Sequence, residues 1–124
     1  LTADAAAAVF VYGTLRQGEP NHALLASARF VGEARTPPAY TLVDLGSYPA
    51  MTDGGTSAVT GELYLVDAAT LARLDELEEH PVWYCRREIA LTDGRRAHAY
   101  LLPRRFCDGG VPIVGGDWKA RSVL

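Results

Sequence analysis

An α+β fold is predicted, with a small mixed sheet, curved or closed, and a few short helices. Three observations predict it. Short β-branched and aromatic runs recur between Gly- and Pro-bearing turns. A single segment, residues 68–79, repeats leucine at helical spacing. The 124 residues allow one domain, and a chain of this size buries roughly two-thirds of its unfolded surface without disulfides or metals. Hydrophobic residues make up 48% and charged residues 22%, a globular composition. Twelve basic residues against 15 acidic ones leave a net charge of -3. That balance excludes a nucleic-acid binder or a polybasic membrane binder, which need a basic footprint. No apolar run approaches the roughly 20 residues of a membrane helix. Residues 1–8 hold Asp4 and no basic stretch, so they do not read as a signal peptide, and a cytoplasmic location is expected.

Taken in order, Val9-Phe10-Val11-Tyr12 is a strand with apolar residues on both faces, ending at Gly13. Residues 14–20 form a loop carrying Gly18 and Pro20. Asn21 is placed to cap a short helix through about Ala28, with Leu24 and Leu25 inward. Residues 39–45 follow a Pro-Pro pair as a second strand and lead into a Gly46-Ser47-Tyr48-Pro49 turn. A further loop spans Gly54-Gly55-Thr56. Residues 58–66 are the longest strand candidate, with Gly61 marking a bulge or a close approach. Asp67 caps a helix over 68–79 that ends before His80-Pro81. Residues 84–91 and 97–102 form a hairpin around Asp93-Gly94. One domain covers residues 1–124, with a core of about 9–102 and a Gly-rich tail, 103–124, that wraps the core or is partly mobile.

The usual reactive groups point nowhere specific. Cys85 and Cys107 do not make a disulfide framework and read as reduced, largely buried thiols. Cys85 with His80 is a conceivable nucleophile and base, although no further residue supports the pair. His22, His80 and His98 lack metal-ligand spacing, and no phosphate-cradling glycine motif occurs. No metal and no cofactor are therefore expected.

Two constellations carry chemistry. Asp75-Glu76-Leu77-Glu78-Glu79 holds four carboxylates at the end of the predicted helix, ordinarily a solvated face. With about 100° per residue, Leu71, Leu74 and Leu77 define an apolar stripe. Glu78 lies about 40° from its centre, Asp75 about 100°, and Glu76 and Glu79 beyond about 140°. Glu78 alone must face the core. Such a carboxylate either has a raised pKa suited to proton exchange near neutrality or is neutralised by Arg86 or Arg73. The second constellation is Tyr12-Gly13-Thr14-Leu15. It is either an ordinary turn or a nest of main-chain N–H groups that suits a carboxylate.

Together they resemble a known family. Val9-Phe10-Val11-Tyr12-Gly13-Thr14-Leu15-Arg16-Gln17-Gly18 and the following Glu19-Pro20-Asn21-His22 resemble the opening of the γ-glutamylamine cyclotransferases, in the AIG2-like γ-glutamylcyclotransferase superfamily. Gly61-Glu62-Leu63-Tyr64-Leu65-Val66 is similar to that family's central strand. The run from Leu74 to Arg86 is similar to its catalytic helix end, and Gly116-Asp117-Trp118 to the tail of bacterial members. The resemblance implies a barrel-like α+β fold and release of 5-oxoproline from a γ-glutamyl donor, a lyase or acyltransferase chemistry. By position, Glu78 would be the catalytic acid/base. Tyr12, Gly13, Thr14 and Leu15 would bind substrate, their backbone donors holding the glutamyl α-carboxylate. Tyr84 either lines the pocket or is a core aromatic. Residues 46–56 are expected to shape the pocket.

The implied partner is a small γ-glutamyl amine, with no nucleic acid and no membrane; oligomeric state leaves no signal in the sequence. A γ-glutamyl amide carries its own nucleophile, so one glutamate can serve both proton steps without a cofactor. The alternatives are a non-catalytic binding module on the same fold, removal of a γ-glutamyl group during aminoglycoside biosynthesis, and thiol chemistry at Cys85.

Overall fold

A computed structural model describes residues 7–121. Most of the segment read as lacking a signal peptide, residues 1–6, and the last three residues of the tail lie outside the described residues. The chain runs β1 (Ala7–Val11), β2 (Arg29–Arg35), β3 (Tyr40–Asp44), β4 (Pro49–Asp53) and β5 (Thr60–Val66). It continues through α1 (Ala68–Leu77), β6 (Cys85–Ala90), β7 (Arg96–Leu101) and β8 (Val111–Pro112). Short 3-10 turns occur at His22–Leu25, Arg104–Phe106 and Trp118–Ala120.

All eight strands join one mixed sheet in the order β2-β5-β1-β7-β4-β3-β8, with β6 along β7. The sheet is not closed. Both of its faces are covered. Val9, Val11, Tyr64 and Val66 pack with Leu74 of α1 on one side. Phe10, Tyr12, Leu63 and Met51 pack with Ile113 and Trp118 on the other. This double burial is why β1 is apolar at every position from Val9 to Tyr12.

One topological feature creates the site. β6 pairs with β7 along its whole length, from Cys85–Leu101 to Ala90–Arg96. The other edge of β7 is shared in succession by two parallel neighbours, β1 at Val9–His98 and β4 at Met51–Leu101. Where β1 leaves and β4 takes over, the ladder is interrupted, and the Tyr12 hydroxyl fills the gap. It donates to the Tyr100 carbonyl at 2.6 Å and accepts the Met51 N–H at 3.1 Å. A crevice beside a strand divergence is a favoured place for a ligand.

Several expectations need correction. Asn21 does not cap a helix. Only the 3-10 turn His22–Leu25 forms there, and the Asn21 side chain instead donates to Thr14 Oγ1 at 3.0 Å. Three strands lacked a readable signal. β2 is an exposed edge, whose register shift between Phe30 and Gly32 breaks alternation. β4 begins at Pro49, inside the expected turn, and β8 is two residues long. Gly61 is a close approach: a side chain there would collide with the Val11 carbonyl oxygen and the Phe10 ring. Asp67 does cap α1, accepting the Thr70 N–H at 2.8 Å. The described part of the tail wraps the core, with Ile113 N–H bonded to the Leu42 carbonyl and Trp118 buried.

Candidate functional site

A cavity of about 450 Å³ opens beside the divergence of β1 and β4. Its walls come from three directions: residues 10–15 at the end of β1, Ser47, Tyr48 and Pro49 at the β3–β4 turn, and Leu77, Glu78 and Glu79 at the end of α1. Pro20, Asn21, Trp83, Tyr84 and Tyr100 complete the lining. All five residues singled out from the sequence, Tyr12, Gly13, Thr14, Leu15 and Glu78, meet in this one cavity. Of residues 46–56, only Ser47, Tyr48 and Pro49 reach it.

The loop after β1 is stiff and its donors are free. Gly13 packs so tightly on β4 that a Cβ there would lie 2.5 Å from Pro49 Cγ. The Gly13 carbonyl accepts the Arg16 N–H at 3.0 Å, and the Thr14 carbonyl accepts the Asn21 N–H at 2.9 Å. The N–H groups of Gly13, Thr14 and Leu15 donate to no acceptor among the described residues. Three neighbouring unsatisfied donors at a cavity wall are a ready site for an anion.

The loop is held from beneath by charges that sequence reasoning did not single out. Arg16 is only 4% exposed, as is Glu62 of β5. Arg16 Nε lies 3.3 Å from Glu62 Oε2, and its Nη1 donates to Asp117 Oδ1 at 2.8 Å. Glu62 also accepts the Gln17 N–H at 2.9 Å and the Tyr64 hydroxyl at 3.0 Å. Its signal was a carboxylate set inside a strand otherwise apolar on both faces.

At the other wall, α1 ends two residues earlier than the predicted 68–79. Leu77 is its last residue and is 39% exposed, so it is not part of the buried stripe. Glu78 still keeps helical dihedrals, φ -86° and ψ -2°, and its N–H donates to the Leu74 carbonyl at 3.0 Å. It therefore stays on the inward side that the helical wheel assigns. Glu79 then turns left-handed, φ 55°, and ends the helix.

Neither candidate counter-ion for Glu78 reaches it. Arg86 binds Asp75 in bidentate fashion, Nε–Oδ1 at 2.8 Å and Nη2–Oδ2 at 3.1 Å. Arg73 donates to Thr70 Oγ1 at 3.3 Å. No ion pair or hydrogen bond holds the Glu78 carboxylate among the described residues, and burial pushes its pKa up to about 7. Asp75, one turn away, behaves oppositely. Burial alone would raise it, but Arg86, the Tyr100 hydroxyl at 2.6 Å and the nearby His80 outweigh that and hold it below its ordinary value. Two carboxylates three residues apart are thus pushed in opposite directions, Glu78 up and Asp75 down.

The tyrosines around the cavity are committed. Tyr84, buried and lining the cavity, donates to the Pro49 carbonyl at 2.7 Å. Burial, reinforced by Glu78 beside it, drives the Tyr12 hydroxyl far above its ordinary range. Both hydroxyls stay protonated and are spent on carbonyls. Of the two thiols expected to be largely buried, Cys107 is, but Cys85 at the start of the edge strand β6 is exposed and lines a different cavity, with Arg87 and Arg104. His80 Nδ1 accepts the Arg86 N–H at 2.9 Å. Among the described residues, no group of three or more His, Cys, Asp or Glu side chains is arranged to hold a metal ion.

Comparison with known proteins points one way. The family model described as gamma-glutamyl cyclotransferase, AIG2-like, matches residues 9–120. A Vibrio cholerae protein provisionally named a gamma-glutamylcyclotransferase is 46% identical over 91% of this chain and 96% of its own. The solution structure of the Escherichia coli protein ytfP superposes with a TM-score of 0.72 at 36% identity, covering 91% of this chain and 96% of that one. The crystal structure of an AIG2-like protein from Mus musculus gives 0.72 at 32% identity, over 78% and 77%.

Proposed function

The chain belongs to the AIG2-like gamma-glutamyl cyclotransferase family, and from that premise we propose that it releases 5-oxoproline and a free amine from a γ-glutamyl amine, with Glu78 as general acid/base. The observation that carries the proposal is a single uncompensated carboxylate, its pKa raised to about 7, lining the same cavity as three residues whose N–H groups have no acceptor among the described residues.

In this reading the N–H groups of Gly13, Thr14 and Leu15 hold the α-carboxylate of the glutamyl group. Ionised Glu78 takes a proton from the α-ammonium. The freed amine attacks the γ-carbonyl carbon, forming the ring C–N bond, and the bond to the leaving nitrogen breaks. Glu78, now protonated, gives that proton to the departing nitrogen, and the second proton shed by the ring nitrogen as the lactam forms passes by way of Glu78 to the free amine, which leaves as an ammonium. No water is consumed, and two protons move from the α-ammonium to the leaving amine through one residue. Holding the α-carboxylate folds the donor toward ring closure, where orientation is worth up to several kcal/mol. The Asp75–Arg86 pair keeps the neighbouring cation away from Glu78, so its basicity near neutrality survives. The single domain and the cytoplasmic setting belong to the same proposal.

The test is 5-oxoproline release from a γ-glutamyl amine by wild type and by Glu78→Gln, followed over pH. Wild-type kcat/KM is expected to rise with pH through about 7, because the base must be ionised. Glu78→Gln is expected to lose about 10²- to 10⁴-fold. A variant as active as wild type would sink the assignment of Glu78.

A further inference from the structure

Glu78 stands between two residues that a single arginine ties together. Arg86, near the start of β6, binds the Asp75 carboxylate through two nitrogens, and its main-chain N–H donates to His80 Nδ1 at 2.9 Å. The His80 N–H in turn donates to the Asp75 carbonyl at 2.9 Å. Residues 75–80 are thereby closed into a loop, and Glu78 within it forms part of the cavity wall. Tyr100 of β7 is the fourth member. Its hydroxyl donates to Asp75 Oδ1 at 2.6 Å, the same oxygen that receives Arg86 Nε at 2.8 Å. Strand register brings them together, since Arg86 and Tyr100 lie opposite each other in the β6–β7 ladder and so share a face.

The pair acts through charge as well as contact. The side chains of Arg86 and Asp75 are each 23% exposed, so water screens them less than a surface pair. Burial and Asp75 push the Tyr100 hydroxyl up, Arg86 pulls it down, and Glu78 pushes it up again, so all three charges reach one atom. Yet burial is the one cause of the shift at Glu78. Opposite charges locked side by side cancel at a third group, and either one alone does not. The other ionisable groups that line the cavity are the phenols of Tyr12, Tyr48, Tyr84 and Tyr100, neutral at the pH of interest, and Glu79. Glu76 and Glu79 are exposed to screening water.

We propose that Asp75 and Arg86 are paired positioning residues that together fix the pH range over which the site works, each alone displacing that range in the opposite direction. The inference rests on the cyclotransferase reading above, in which Glu78 carries the protons.

The experiment measures 5-oxoproline release from a γ-glutamyl amine across pH for wild type, Asp75→Asn, Arg86→Gln and the double variant. The Glu78 side-chain carboxyl is titrated by carbon NMR in the same proteins. Asp75→Asn leaves Arg86 as an unbalanced cation, which favours ionised Glu78. The ascending limb of kcat/KM is expected to move down by about one pH unit, about tenfold more activity on the acid side relative to the plateau. Arg86→Gln leaves Asp75 as an unbalanced anion, still held by the Tyr100 hydroxyl, and should move the limb up by a similar amount. The double variant should return it to the wild-type position. Lost packing lowers kcat/KM at every pH alike, so opposite shifts that cancel distinguish a charge role from a structural one. Should Asp75→Asn fail to fold, the upward shift in Arg86→Gln carries the test. Limbs that stay in place, or move the same way in both single variants, overturn the proposal and leave cyclotransferase activity intact. Absence of 5-oxoproline from the wild type overturns the cyclotransferase reading instead, and the NMR titrations then decide by themselves whether the pair governs Glu78.

Discussion

A half-buried carboxylate without a partner affects stability as well as chemistry, and at Glu78 the two are separable. Its pKa is raised to about 7 in the folded protein, from an ordinary value of 4.5, and burial is the cause. The folded state therefore binds more protons than the unfolded state between those values. Stability contributed by protonated Glu78 is fully present below the unfolded value and is lost as pH rises through about 7. Glu78→Gln removes a charge that the fold disfavours. The variant is expected to melt above wild type at pH 8, with the gap closing by pH 4, as thermal melts at both values would read. A melting difference independent of pH would mean that Glu78 is solvated rather than buried. Asp75 shows the contrast: Arg86 and Tyr100 hold it ionised, so its pairing supports the fold where Glu78 opposes it.

At the scale of elements, the site is the meeting of two chain ends, the end of β1 and the end of α1. The helical wheel separated Glu78 from its neighbours because α1 keeps its rotation through residue 78, even though the helix itself closes at Leu77. It placed Leu77 wrongly, since the left-handed turn at Glu79 lifts the helix end toward the cavity mouth. The loop after β1 depends on Gly13 lying flat against Pro49. Gly13→Ala would force a Cβ to 2.5 Å from Pro49 Cγ and spread β1 from β4. Overpacking of this kind costs about 1–3 kcal/mol. The variant is expected to melt lower and to raise KM, with a smaller effect on kcat, because the three loop donors move together. The missed strands have a common cause. β2 and β8 are exposed or very short, and β4 starts at a proline, so none shows alternation strong enough to distinguish it from a turn.

Across the whole molecule, the tail and the central strand support the loop together. Arg16, from the loop, joins Glu62 of β5 and Asp117 of the tail, while Trp118 donates to Glu19 at 2.9 Å. Three segments far apart in sequence thus converge under the loop that follows β1. Breaking a buried pair by removing one partner leaves a buried charge uncompensated, which costs about 3–5 kcal/mol. Arg16→Ala is expected to lower the melting temperature by that measure, and Arg16→Ala with Glu62→Gln to recover part of it. A double variant no more stable than the single one would show that the two charges are not coupled.

The amino-acid sequence by itself determined the α+β class, the capped helix α1, the β6–β7 hairpin, and which of four clustered acids faces inward. These depend on periodicity and on local chemistry, which act within a few residues and need no knowledge of the rest of the chain. Only the tertiary structure decided that Arg86 goes to Asp75 and not to Glu78, that β1 and β4 share one edge of β7, and that Glu79 stands at the cavity mouth. Each of these is a choice among partners distant in sequence. Such choices are settled by how strands pair and by which charge a buried cation reaches first, and neither is written in any single segment.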